Sequence, residues 1–146
     1  MSDVVAELRR GVATASAEET QAVARRVAEV LPPDVVLALH GDLGVGKTTF
    51  VQGLARALGV THAVTSPTFT IFNLYHGRER TLVHLDAYRL NGAAEMEALM
   101  LEDFLRSPWC LAVEWPENVA DWLPATAWHL DLGIAGDERH TLRLRH

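Results

Sequence analysis

The stretch Val35-Val36-Leu37-Ala38-Leu39-His40-Gly41-Asp42-Leu43-Gly44-Val45-Gly46-Lys47-Thr48-Thr49 decides the fold. Its first five residues are an unbroken apolar run, β-branched at the start and preceded by Pro32-Pro33-Asp34. A run this short, bounded by breakers, fits a strand buried on both faces, as in a parallel sheet. Three glycines fall between residues 41 and 46. An amphipathic helix is then predicted from Lys47 to about Leu58, stopped by Gly59.

Gly41 to Thr48 reads G-x-x-x-x-G-K-[ST], the phosphate-binding loop, and it lies between strand and helix as the mechanism requires. Gly41, Gly44 and Gly46 let the backbone fold around an anion with its amides pointing inward. The following helix aims its partially positive end at the same anion. Lys47 is placed to reach the β- and γ-phosphates of a nucleotide, and the Thr48 hydroxyl to ligate magnesium. Lys47 is the only lysine; every other cation-forming chain of fixed charge is arginine. A compact point charge suits phosphate, so its retention here agrees with the motif.

Outward from this unit, residues 11–14 suggest a short leading strand. Ser16-Ala17-Glu18-Glu19 has the capping-box pattern and opens a helix to about Leu31, with Val23, Val27, Val30 and Leu31 on one face. Pro32-Pro33 ends it. Pro67 to Tyr75 is expected to leave a loop as a strand, and Thr81 to Leu85 to form a strand ending at Asp86. Ala93 to Leu105 is helical in composition. Cys110 to Val113 reads as a buried strand ending at Glu114. Ala127–Leu132 and His140–Arg145 read as final strands, the last alternating and near an edge. Strands interleaved with helices predict an α/β fold with a central, mostly parallel sheet. Its chemistry should sit beyond the carboxyl ends of the strands.

The length of 146 residues predicts a single domain over 1–146, with no repeat or linker. Hydrophobic residues at 49% and charged residues at 22% exclude a disordered chain. A net charge of −6 with scattered arginines argues against gripping nucleic acid alone. Cys110 is the only cysteine, so no intramolecular disulfide forms, and no Cys/His zinc spacing is present. No signal-peptide pattern follows Met1 and no apolar run approaches the ~20 residues of a membrane span. A cytoplasmic protein without membrane association is expected.

A phosphate loop needs an acidic partner at a neighbouring strand end to hold magnesium or its water shell. Glu114 and Asp86 both qualify. His84 shares a strand face with Asp86, and a hydrogen-bonding role suits it better than metal ligation. Thr65-Ser66-Pro67-Thr68-Phe69-Thr70 is either an ordinary turn or a loop that orders around a γ-phosphate. Trp115, directly after Glu114, either stacks on a ligand or packs beneath the loop. Trp109, Trp122, Trp128 and Cys110 are read as core.

Four segments together resemble a known family. They are Gly41 through Phe50, Ser66-Pro67-Thr68-Phe69, His84-Leu85-Asp86-Ala87-Tyr88-Arg89-Leu90 and Val113-Glu114-Trp115-Pro116-Glu117. In order and spacing they are similar to the bacterial tRNA threonylcarbamoyladenosine biosynthesis ATPase family, TsaE (YjeE). The resemblance implies a P-loop NTPase-like three-layer fold, ATP and Mg2+ as cofactors, and a cytoplasmic motor acting with the TsaB and TsaD subunits. Those partners transfer a threonylcarbamoyl group to adenosine 37 of tRNA, so tRNA is engaged only through them. By matching position, the resemblance puts the phosphate-loop roles on Leu43, Gly44, Val45, Gly46, Lys47 and Thr48; Thr49 and Trp115 are further candidates for nucleotide binding. It puts catalysis on Lys47, Asp86 and Glu114, and magnesium on Thr48 and Glu114. It also implies Arg139 as a contact to the nucleotide, and Ser16 and Ala17 as contacts on its base side.

Two other readings fit the phosphate loop: a small-molecule kinase and a nucleotide-regulated binding module. A kinase normally closes an arginine-bearing lid, for which only Arg78 and Arg80 offer themselves. A Ras-type GTPase is excluded, because N-K-x-D needs a second lysine.

Overall fold

The computed structural model describes residues 3–42, 45–61, 63–65, 71–136 and 138–145. In chain order its elements are α1 (Val4–Arg10), β1 (Val12–Thr14), α2 (Ala17–Val30), β2 (Val35–His40), α3 (Lys47–Ala57), β3 (Phe72–His76), β4 (Thr81–Asp86), α4 (Ala93–Ala98), β5 (Trp109–Glu114), β6 (Trp128–Ile134) and β7 (His140–Leu144). Two 3-10 turns, Leu101–Asp103 and Pro116–Val119, follow α4 and β5.

The seven strands form one sheet in the order β1-β7-β6-β2-β5-β4-β3. The centre is parallel: β2 pairs with both β5 and β6, and β4 with β5. Both flanks are antiparallel, through β3 on β4, β7 on β6 and β1 on β7. The sheet is therefore mixed, with the expected parallel character confined to its four middle strands. The last strand lies one place in from the edge, covered by three-residue β1.

Period-two alternation divides the core between the two faces. Leu37, Leu39, Cys110, Ala112 and Leu82 join α1, α2 and α3 on one side. Val36, Leu111, Val113, Val83 and Leu85 meet Met96 of α4 and the 3-10 turns on the other. Trp109, Trp122 and Trp128, expected in the core, are half-buried against it. Cys110 is buried, and burial pushes its thiol pKa up to about 12.

Two elements depart from expectation. Helix α1 was not anticipated, although Asp3 caps it by accepting from the amides of Val5 at 3.0 Å and Ala6 at 3.2 Å. Its buried residues, Val4 and Leu8, have i,i+4 spacing. The helix expected over Ala93–Leu105 stops at Ala98, and Met100 turns left-handed at φ 54°. A continuous helix would turn Leu101 roughly 140° away from Met96. Both are buried in the same core, and the break makes that possible.

The expected capping box forms with one change. Ser16 Oγ accepts from the Glu19 amide at 3.2 Å, while Glu19 Oε1 accepts from the amide of Ala15, not of Ser16. No helix among the described residues is long and apolar enough to cross a membrane.

Candidate functional site

The glycine-bounded turn between β2 and α3 sits at the carboxyl end of the parallel strands, where an α/β sheet places its ligands. Gly41 has φ 143°, and a Cβ there would lie 2.5 Å from the Leu132 carbonyl oxygen and 2.8 Å from Val45 Cγ2. Gly46 caps α3 in the left-handed region at φ 97°, with no side-chain cap bond. No side-chain cap therefore satisfies the amides of the first helical turn. Leu43 and Gly44 lie outside the described residues, as does the segment Ser66-Pro67-Thr68-Phe69-Thr70.

Lys47 begins α3 and is only 4% exposed. Its Nζ donates to the Gly41 carbonyl at 2.7 Å, lies 3.9 Å from Glu114 Oε1 and stands 4.4 Å from the centre of the Trp115 ring. A buried ammonium is tolerated only with such compensation. Glu114, itself buried, ends β5; its Oε2 pairs with His84 Nε2 at 2.5 Å. Thr48 and Thr49 are half-buried in the first turn of the helix.

Parallel pairing puts Asp86 directly beside Glu114 in register. Two carboxylates thus stand on adjacent strand ends, on the face shared with α3. Asp86 Oδ1 accepts from the Tyr88 amide at 2.9 Å, closing a tight turn. The segments after β4 and β5 are clasped together: the Ala87 amide donates to the Glu114 carbonyl at 3.0 Å. Asn118 Nδ2 donates to the carbonyls of Ala87 and Tyr88, each at 3.1 Å. Trp115 takes a left-handed conformation at φ 56°, a strain of order 1–3 kcal/mol for a non-glycine residue. That conformation sets its indole against Lys47 and the edge of Tyr88, whose ring centre is 5.2 Å away.

Three of the four segments quoted above for their resemblance meet here, those that hold Lys47, Asp86 and Glu114; the fourth, Ser66-Pro67-Thr68-Phe69, lies outside the described residues. The family model described as threonylcarbamoyl adenosine biosynthesis protein TsaE matches residues 14–142. The chain belongs to the TsaE family.

It is 39% identical over 129 residues to the tRNA threonylcarbamoyladenosine biosynthesis protein TsaE of Bacillus subtilis, covering 88% of this chain and 80% of that one. The protein of the same name from Treponema pallidum is 37% identical over 122 residues, with coverage of 84% and 90%. The crystal structure of Bacillus subtilis YdiB matches with a TM-score of 0.74 at 36% identity, covering 90% of this chain and 81% of that one. The TsaE match begins at Thr14, so α1 precedes the matched range.

Three of the residues expected to contact the nucleotide lie on other elements. Arg139 is exposed in the β6–β7 turn, where its carbonyl accepts from the Ala135 amide at 2.8 Å. Ser16 caps α2 and Ala17 is exposed in its first turn. Among the described residues, no hydrogen bond or ion pair links Arg139, Ser16 or Ala17 to Lys47, Asp86 or Glu114. Three residues that reading the sequence missed do belong to the surroundings. Asn118 forms the clasp, Tyr88 abuts Trp115, and His140 Nδ1 lies 3.0 Å from the Val45 carbonyl oxygen. His140 stands far along the chain from the loop it touches, and no local pattern marks it. Tyr88 lies within the quoted segment His84 to Leu90 and Asn118 directly follows the one that ends at Glu117, so both were within reach.

Proposed function

We propose that this chain is a P-loop ATPase: it binds and hydrolyses MgATP and thereby drives the cycle of the TsaB–TsaD complex that makes threonylcarbamoyladenosine in tRNA. The observation that carries the reading is the arrangement around Lys47. A buried lysine at a helix start faces a buried glutamate, with Asp86 in register beside it. A cation at the start of a helix that no side chain caps, beneath a glycine turn, suits a polyanionic ligand.

Magnesium fits the donor chemistry, since Thr48, Glu114 and Asp86 offer hard oxygen ligands. Among the described residues, no cluster of three His, Cys, Asp or Glu could hold an ion alone. Magnesium is commonly held by one or two carboxylates together with substrate phosphates. When bound, the ion neutralises charge developing on the transferred phosphoryl group. Lys47 leaves the Gly41 carbonyl to meet the β- and γ-phosphates, and the loop amides cradle them. Glu114 and Thr48 hold the ion, and Asp86 orients or deprotonates the attacking water.

The protein's net charge of −6 argues against gripping tRNA alone, which agrees with the contact to RNA through TsaB and TsaD, in the cytoplasm, that the family resemblance implies. The test is Lys47→Ala in the full chain. Hydrolysis should fall by about 10²–10³-fold while circular dichroism stays unchanged. With TsaB, TsaD, threonylcarbamoyl-adenylate and tRNA, multiple turnovers should require this protein, MgATP and Lys47. A folded Lys47→Ala protein that sustains those turnovers would remove the reading.

A further inference from the structure

We propose that His84 is a positioning residue: it ties up one oxygen of Glu114 so that the other alone faces Lys47 and the phosphate site. The proposal rests on the MgATP reading and deepens it by assigning how the carboxylate is held.

His84 is fully buried in β4. Parallel register sets it opposite Ala112, two residues before Glu114 on the same sheet face. From there its Nε2 reaches Glu114 Oε2 at 2.5 Å, while Glu114 Oε1 points to Lys47 Nζ at 3.9 Å. The two oxygens of one carboxylate are therefore divided between two jobs. A terminal carboxylate torsion is broad and soft, so without a bond at Oε2 the group would swivel.

The other imidazole nitrogen supplies the decisive detail. His84 Nδ1 is buried and, among the described residues, has no hydrogen-bond partner. A buried polar atom without a partner weakens a core, and an apolar side chain at this position would avoid that loss. The imidazole's compensating contact is the bond to Glu114. The pattern also assigns the tautomer. A proton on Nδ1 would be a buried donor with nothing to receive it, so the proton sits on Nε2 and is donated to Glu114. His84 is thus oriented like the outer partners of metal-binding side chains, which fix a ligand without touching the ion.

The experiment compares His84→Gln with His84→Asn in the full chain. The glutamine amide nitrogen falls near the position of Nε2 and keeps a donor for Glu114; the asparagine amide falls near Nδ1 and does not. Calorimetric titration of ATP across a range of Mg2+ concentrations gives the Mg2+ needed for half-maximal binding. His84→Asn should raise it about tenfold, in line with the loss of an outer-shell partner. His84→Gln should lie closer to wild type, and all three proteins should bind ATP equally in EDTA. Nitrogen-15 NMR of the metal-free wild type should find the His84 proton on Nε2.

Equal Mg2+ requirements in the two variants overturn the proposal, as does a proton on Nδ1. Should wild type fail to bind ATP at all, the ATPase reading falls, and the NMR measurement still decides the His84–Glu114 bond.

Discussion

The Lys47 ammonium stands 4.4 Å from the centre of the Trp115 indole, held over the ring while it donates to the Gly41 carbonyl. A cation–π contact of this kind is worth roughly 0.5–2 kcal/mol. Nucleotide phosphates would compete for the same ammonium. Binding of ATP or ADP should therefore change Trp115 fluorescence, and Trp115→Phe should abolish the change. A signal that survives in Trp115→Phe places the nucleotide elsewhere.

Asp86 and Glu114 are neighbours in register but differ in surroundings, and their mutants should separate. Glu114 is buried and paired with His84, whereas Asp86 closes a turn at the rim. Glu114→Gln should raise the magnesium concentration needed for half-maximal hydrolysis. Asp86→Asn should bind MgATP well yet hydrolyse it about 10²–10⁴-fold more slowly. Identical magnesium titrations of the two variants would count against the division.

Gly53 is where α3 lies against α2. A Cβ there would sit 2.6 Å from Gln21 Cα and 2.8 Å from the Gln21 carbonyl oxygen, both backbone atoms. Backbone cannot swing aside as a long side chain can. Gly53→Ala should cost about 1–3 kcal/mol of stability despite alanine's better helix propensity. Urea denaturation reads this directly, and an unchanged or raised midpoint would refute the close-packing argument.

His40 Nε2 lies 2.8 Å from His129 Nδ1, at the end of β2 next to Gly41. Burial lowers both pKa values below the ordinary 6.5; Arg145 reinforces this, while Asp131, and for His40 also Glu117, oppose it. Because the folded state disfavours the charged form, the unfolded chain binds more protons between the two pKa values. Stability is full above 6.5 and is lost as pH falls through the folded values. The melting temperature should therefore drop between about pH 7.5 and about pH 5 more in wild type than in a His40→Gln/His129→Gln variant. Parallel curves would show that the pair carries no linkage.

The central unit was legible because its determinants are local. A buried strand, glycines and a helix run consecutively from Val35 to Ala57, and each announces itself by composition. The strand ends at Asp86 and Glu114 were legible for the same reason. Helix α1 also carries local signals: an Asp cap, i,i+4 apolar spacing and a terminal glycine. The break at Met100 was out of reach, because it follows from where Met96 and Leu101 must both be buried. The same holds for His84 with Glu114, His40 with His129 and His140 with Val45. These contacts join residues from separate strands and turns, and sheet register, which residue spacing does not encode, brings them together.

Strand β1 is three residues long, yet it occupies the outer ladder of β7, pairing Val12 with Leu142 and Thr14 with His140. An uncovered strand edge is a template for pairing with another chain. The amino-terminal segment therefore shields the sheet from self-association as well as adding to its size. Trimming residues before Ala15 would bare the outer edge of β7 from His140 to Leu142, and the visible damage would be fibrils or precipitate.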